Sequence, residues 1–193
     1  MLVISCHADT GFRFHQLTKL DRDVVEGHLD NFAGVYAVMQ AYFSGKFQED
    51  YAHIALTYGE EDDMAGAEEV LDTLRKHDVV IVVDVTGTKT KQDFVIEKCS
   101  DKKFFEALQE ILKGMSFDIY EDCPDPIATE DEVDVYSEEC PYTCMLAIPC
   151  WGGDYNEGVV KAKEASIQAV AQALVRIVEN FPALCQKLGV VVS

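Results

Sequence analysis

Basic residues are scarce in this sequence. Of its 193 residues, 16 are lysine or arginine and 35 are aspartate or glutamate, so the formal net charge is −19 at pH 7. Such a charge repels the phosphates of nucleic acids and the headgroups of anionic lipids. We therefore expect no nucleic-acid partner and no membrane partner. The acidity favours metal cations or a cationic group such as the amino terminus of a peptide, although a solvated acidic surface is its commoner cause.

Targeting signals and long apolar runs are missing too. No window approaches about 18 uninterrupted apolar residues, and no basic segment followed by an apolar one opens the chain. We therefore predict a cytoplasmic protein. The seven cysteines are an odd number and poor evidence for a disulfide framework. Cys140, Cys144 and Cys150 form a loose cluster that could bind a soft metal, but buried thiols are the simpler interpretation because Cys-x2-Cys spacing is absent.

Glycine-rich nucleotide-binding motifs do not follow any predicted strand. Apolar segments predict buried strands at 2–6, 52–59, 79–88 and 143–150. Helical periodicity fills the intervals, at 31–45, 65–76 and 102–114, and again at 159–181. This alternation predicts one domain over 1–193, an α/β fold built as a three-layer α/β/α sandwich with a mixed, mainly parallel sheet. We also predict a half-exposed strand at FRFHQL, and a loop or short edge elements in the acidic stretch 118–140.

The polar residues that end the predicted strands are nearly all potential metal ligands. Ligands of open α/β sheets bind beyond the carboxyl ends of the strands, where these side chains should meet. One imidazole and at least four carboxylates in one place would repel one another unless cations neutralised them. Zinc, manganese or cobalt suits such a nitrogen and oxygen set. The strand-end residues are His7, Asp9, Glu60, Glu61 and Asp84, and Asp30 joins them from the stretch before the first predicted helix.

Two His-x-Asp pairs compete for the role of imidazole ligand. One is His7 with Asp9, and the other is His28 with Asp30. We favour His7 because it directly follows a strand, with Asp9 placed to orient its ring.

Five segments together resemble the dinuclear zinc exopeptidases, which have a phosphorylase/hydrolase-like α/β fold. The similarity is closest to the glutamyl and deblocking aminopeptidases. It extends over nearly the whole chain, in the family's order and approximate spacing. The segments are HADTGF, GHLDNFAGVYAV, TYGEEDDMAGAEEV, VVIVVDVTGT and LAIPCWGGDYNE.

The resemblance implies a hydrolase that cleaves peptide or acyl-amino-acid substrates with two zinc ions, for which cobalt or manganese could substitute. It implies that His7 ligates one zinc, that Asp9 steers His7, and that Asp30 bridges the two ions. Glu61 would ligate one zinc and Asp84 would complete the other. Glu60 would act as the general base toward water. Relatives commonly form homo-oligomers, so assembly is expected as well.

The chain departs from the family's pattern at its last metal ligand. The family places a histidine in the segment that matches IPCWGGDYNEG, whereas no histidine follows His77 here. Asp154 or Asn156 lies near the expected position, and Asp154 could supply an oxygen ligand. There is also no room for the lid or dimerisation domain that many relatives insert. Three alternatives stay open: an active hydrolase, an impaired descendant that binds a metal or a protein, and a domain whose acidic strand ends bind nothing specific.

Overall fold

A nine-stranded mixed sheet forms the centre of the described part of the protein. The computed structural model describes residues 1–16, 19–47, 49–128 and 130–192. The main path of the sheet has the order β2-β3-β9-β8-β5-β1-β4, and β6 and β7 extend from β8. The strands are β1 Leu2–His7, β2 Lys19–Asp21, β3 Val24–Gly27, β4 Ala52–Thr57, β5 Val79–Thr86, β6 Phe94–Glu97, β7 Phe117–Ile119, β8 Tyr142–Trp151 and β9 Val160–Lys163.

Helices cover both faces of the sheet. Three helices pack against the larger apolar core: α1 Phe32–Ala41, α3 Lys102–Ile111 and α5 Glu164–Leu188. The other face is covered by α2 Ala65–Leu71 and α4 Glu132–Ser137 over a smaller core. The predicted three-layer α/β/α fold with a mixed, mainly parallel sheet is confirmed. None of the helices in the described part of the chain is long and apolar enough to cross a membrane.

The parallel strands β4, β1, β5 and β8 lie at the middle of the sheet. All eight residues of β5 are buried, because its valines face alternately into the two apolar cores. A strand covered on both faces has no need for alternating polarity, which explains the continuous run of β-branched residues. Since these strands run in the same direction, the residues at their carboxyl ends share one edge of the sheet.

Several element predictions need correction. The segment 12–16 forms an irregular loop instead of a strand, and Leu17, the last residue of FRFHQL, lies outside the described residues. The predicted helix 159–181 begins as strand β9, which pairs with β3 and β8 before α5 starts at Glu164. The predicted helix 31–45 ends at Ala41 and continues as a π-type turn over Tyr42–Lys46.

Candidate metal centre

His7 is the most buried of the predicted site residues. It ends β1 and is 1% exposed. Its Nε2 lies 3.1 Å from Asp30 Oδ1, 3.4 Å from Asp84 Oδ2 and 3.8 Å from Glu60 Oε2. Carboxylates that lie up to 77 residues from His7 along the chain therefore converge on one ring nitrogen.

Asp9 contacts the other side of the imidazole. Its Oδ1 lies 3.5 Å from His7 Nδ1, and its Oδ2 accepts a long hydrogen bond of 3.5 Å from the backbone N–H of Glu61. The loop then passes over Glu61 so closely that a Cβ on Gly11 would lie 3.0 Å from Glu61 Oε2. Asp9 therefore lies between the Nδ1 side of the His7 ring and the backbone of Glu61.

Asp30 is held in place by the residue that follows it. The Asn31 side chain donates to the backbone carbonyl of Val83 at 2.8 Å, and its Oδ1 accepts from the backbone N–H of Gly34 at 3.0 Å. Asn31 thereby caps α1 and ties its first turn to β5. Because Asp84 follows Val83 directly, this bond sets Asp30 against Asp84.

Glu60 and Glu61 lie in a tight turn between β4 and α2. The turn is closed by Gly59, whose φ of +76° suits glycine and whose carbonyl accepts from the backbone N–H of Met64 at 2.6 Å. The backbone N–H of Gly66 donates to the carbonyl of Tyr58 at 2.9 Å. A Cβ on Gly66 would lie 2.5 Å from the Tyr58 backbone nitrogen, so only glycine fits this close approach.

Three titratable groups in this crowded cluster have raised pKa values. Burial lowers the pKa of His7, but Asp84 and Asp30 outweigh burial and raise it to about 12. Burial and Asp84 raise the pKa of Glu60 to about 8. Burial also raises the pKa of Asp84, to about 7, despite the opposing attraction of His7. The surplus of carboxylates thus holds protons that these groups ordinarily release, which is the situation that a bound cation relieves.

The donor set fits a divalent metal ion. Two groups place their ligand atoms within 4.8 Å of one another: His7 with Asp30 and Asp84, and His7 with Glu60 and Glu61. Buried atoms without any hydrogen-bond partner include both ring nitrogens of His7, Oδ1 of Asp30 and Oε1 of Glu61. Buried polar atoms normally have a partner. Such atoms on several ligand-type side chains make these residues candidates for holding a metal ion.

Other predicted candidates lie outside these two groups. Asp154 lines an open cavity beside Glu60 and Glu61, and its Oδ1 accepts from the backbone N–H of Asn156 at 3.0 Å. His28 stacks on Phe12 with ring centroids 4.0 Å apart. Its Nδ1 accepts from the backbone N–H of Gln16. Among the described residues, no cysteine joins either group of potential metal ligands.

A second set of buried carboxylates adjoins the centre and was missed by sequence reasoning. Asp125 accepts hydrogen bonds from the Tyr155 hydroxyl at 2.7 Å and from the Gly87 backbone N–H at 2.6 Å. Glu97 accepts from the hydroxyls of Thr86 and Thr88. These side chains lie around a small cavity of about 30 Å³ that Asp30, Glu60 and Asp84 also line. The only sequence signal for Asp125 was the acidic character of the stretch 118–140, and nothing in the sequence analysis pointed to Glu97.

Another buried acid supports β1 from its α4 side. Glu132 is 1% exposed and accepts a hydrogen bond from the Ser5 hydroxyl at 2.9 Å. The Ser5 and Tyr136 hydroxyls lie 2.9 Å apart. Ser5 and His7 occupy the same face of β1, so this network fixes the strand two residues before the candidate ligand.

Comparison with known proteins gives matches to structures only. No protein-family profile matches the chain, and no curated protein matches it. An aminopeptidase from the archaeon Desulfurococcus kamchatkensis is similar over 92% of this chain and 55% of its own, with a TM-score of 0.71 and 15% identity. The TET1 peptidase of Pyrococcus horikoshii, which can assemble into a tetrahedron or a large octahedral shell, is similar over 85% and 52%, with a TM-score of 0.68 and 14% identity.

Yeast aminopeptidase 1 is similar over 92% of this chain and 51% of its own, with a TM-score of 0.66 and 8% identity. The chain thus spans about half the length of the structures that it matches. At these low identities the similarity shows the fold alone. The chain has the α/β fold of the TET and related aminopeptidases. The fold expected from the five sequence segments is therefore confirmed.

Proposed function

We propose that the protein is a metal-dependent, aminopeptidase-like hydrolase that cleaves peptide or acyl-amino-acid amide bonds. The ligands would be His7, Asp30, Glu61 and Asp84, with Asp154 as the replacement for the family's last histidine. Zinc is the proposed metal, in two ions, and cobalt or manganese would fit the same donors.

One observation carries the proposal. The Nε2 of a fully buried histidine has three carboxylates within 3.8 Å, and none of these contacts has the geometry of a hydrogen bond. A purely structural cluster would satisfy that nitrogen or dispense with the surplus charge. The position of the cluster, at the carboxyl ends of parallel strands, is where α/β enzymes bind their ligands.

The position of each residue in the site suggests its catalytic role. Bound metal would polarise the scissile carbonyl and lower the pKa of water. Glu60 would accept the proton of the attacking water and return it to the leaving amine, because its carboxylate lies beside the proposed ligands and only 3.8 Å from His7 Nε2. Asp9 would keep the His7 ring oriented through Nδ1.

The test is hydrolysis of aminoacyl-aminomethylcoumarins by protein reconstituted with zinc, with metal-chelated protein as the blank. Glu60→Gln should lower kcat by about a hundredfold or more, because it removes the base and keeps the shape of the side chain. Elemental analysis should find the same zinc content in this variant as in the wild type. Unchanged turnover with zinc retained would remove Glu60 from the role of base.

A second candidate is a metal-binding module without turnover. It is favoured by the position of Asp154, which is absent from both groups of converging ligand atoms and accepts a hydrogen bond from its own turn. Zinc binding at the centre with no hydrolysis of any substrate would support this candidate over the hydrolase.

A further inference from the structure

The turn between β8 and β9, residues 152–159, is anchored by the side chain of Tyr155. Tyr155 is 8% exposed, and its hydroxyl donates a hydrogen bond of 2.7 Å to Asp125 Oδ2. Asp125 is buried to the same extent. A hydrogen bond between two buried groups is expensive to break, because both groups would lose their partner away from water. The bond therefore ties the β8–β9 turn firmly to the acidic stretch 118–140.

Asp125 also holds the chain that leaves β5. Its Oδ2 accepts a hydrogen bond from the backbone N–H of Gly87 at 2.6 Å, and Thr86 Oγ1 lies 3.2 Å from the same oxygen. A Cβ on Gly87 would lie 2.7 Å from Asp125 Oδ1, so a larger residue there would displace the carboxylate. Thr86 and Gly87 follow Asp84, a proposed ligand, in the same segment. One carboxylate thus joins the β8–β9 turn to the end of the strand that carries Asp84.

The β8–β9 turn carries the residues that could complete the metal centre. Asp154, the proposed replacement for the family's last histidine, precedes Tyr155, and Asn156 follows it. Asp154 Oδ1 accepts from the Asn156 N–H at 3.0 Å, and the Asp154 carbonyl accepts from the Gly158 N–H at 3.0 Å. Tyr155 and Asn156 also line the cavity of about 30 Å³ that Asp84 lines. The turn is therefore a compact unit whose position beside the centre depends on Tyr155.

We infer that Tyr155 and Asp125 form a positioning pair, whose hydrogen bond holds the β8–β9 turn close enough for Asp154 to reach the proposed metal centre. This inference rests on the proposed function, because it gives the turn a role toward bound metal. Asp154 belongs to neither group of converging ligand atoms, so its short side chain reaches an ion only from a turn that is held nearby. Tyr155 and Asp125 act through the turn and through the end of β5.

The first test measures hydrogen–deuterium exchange in metal-chelated protein. Tyr155→Phe removes the hydroxyl and keeps the ring, so the variant should fold. The backbone amides of residues 156–158, which are hydrogen-bonded within the turn, should exchange about tenfold faster in it. The matched control is Tyr51→Phe, which removes a hydroxyl that donates to the Val178 carbonyl on α5. Unchanged exchange in Tyr155→Phe, or equally faster exchange in the control, would overturn the anchor while the hydrolase proposal stands.

The second test measures metal binding by zinc titration calorimetry and by the visible absorption of cobalt-substituted protein. Cobalt absorption reports the number and geometry of the ligands. Tyr155→Phe should lower the affinity for one of the two zinc ions by about tenfold and alter the cobalt spectrum, whereas Tyr51→Phe should change neither. Wild-type affinity and spectrum in Tyr155→Phe would overturn the positioning role and leave the metal centre in place. Wild-type protein that binds neither metal would overturn this inference together with the proposed function.

A double variant shows whether the hydroxyl acts through Asp125. In an Asp125→Ala background, Tyr155→Phe should lower zinc affinity by less than about twofold, because the partner of the hydroxyl is already gone. A further tenfold loss in that background would mean that Tyr155 acts on the centre directly, and it would overturn the pair.

Discussion

Replacing Asp84 by asparagine should stabilise the metal-free protein and weaken its metal binding. Asp84 is 7% exposed, and its pKa rises from 3.8 to about 7 because of burial and the nearby Asp30. At about 1.36 kcal/mol per pKa unit, ionised Asp84 costs about 4 kcal/mol of folding free energy near pH 8. Asparagine has no charge, and its oxygen can still accept from the Val85 backbone N–H, as Asp84 Oδ1 does at 2.7 Å.

The pH dependence of this gain identifies its cause. A carboxylate whose pKa is raised on folding is harmless below its unfolded pKa, and its cost grows as the pH rises toward the folded value. The gain from Asp84→Asn should therefore fall below about 2 kcal/mol near pH 5. The assay is urea unfolding followed by circular dichroism, with metal chelated throughout. With zinc bound the order should reverse, because asparagine weakens zinc affinity by about a hundredfold or more.

Equal destabilisation of Asp84→Asn near pH 5 and near pH 8 would contradict this prediction. That outcome would mean that the Asp84 carboxylate is stabilised by its surroundings and needs no cation. Asp84→Ala is a poor substitute for this experiment, because it also opens a cavity and leaves the Val85 N–H without its acceptor.

Two further predictions concern the periphery of the centre. Asp154→Ala should lower the affinity for one of the two zinc ions, because Asp154 is the proposed replacement for the missing histidine. Calorimetric titration with zinc measures this loss. Undiminished affinity for both ions would exclude Asp154 as a ligand. Gly66→Ala should destabilise the fold by roughly 2 kcal/mol, because a Cβ there meets the Tyr58 backbone at 2.5 Å and must displace the turn that carries Glu60 and Glu61. The midpoint temperature of thermal unfolding and the zinc affinity should both be lower in this variant. Wild-type values for both would show that the turn accommodates the added methyl group.

The central strands and the candidate ligands were predictable from sequence for a common reason. Runs of buried apolar residues define β1, β5 and β8, and parallel strands bring their carboxyl ends to one edge. The polar residues that follow such runs must then meet, whatever the length of chain between them. His7 and Asp84 converge for this reason, although the sequence separates them by most of the domain's first half.

The elements that escaped prediction are short or depend on distant partners. Strand β9 has four residues and a sequence, VKAK, that continues a helical pattern, so only pairing with β3 and β8 makes it a strand. Helix α5 was expected to stop at Phe181, before Pro182. It continues to Leu188 because the last turns bury Leu184 and Leu188 in the core, which outweighs the loss of one backbone hydrogen bond.

The carboxylates around the small cavity that adjoins the candidate metal centre were unpredictable for a different reason. Asp125 lies in an acidic stretch without periodicity, and nothing local distinguishes it from its solvated neighbours. Its burial follows from three tertiary contacts, with Thr86, Gly87 and Tyr155. Sequence reasoning finds residues placed by strand order more readily than residues placed by a loop that folds back on the sheet.

The most direct test of the metal centre is zinc stoichiometry, measured by elemental analysis after dialysis against dilute zinc. His7→Ala is the matched variant, since His7 contributes to both groups of converging ligand atoms. We predict about two zinc ions per wild-type chain, and a clear loss in His7→Ala. Wild-type protein that retains no zinc, or a variant that retains as much as the wild type, would contradict the assignment of this cluster as a metal site.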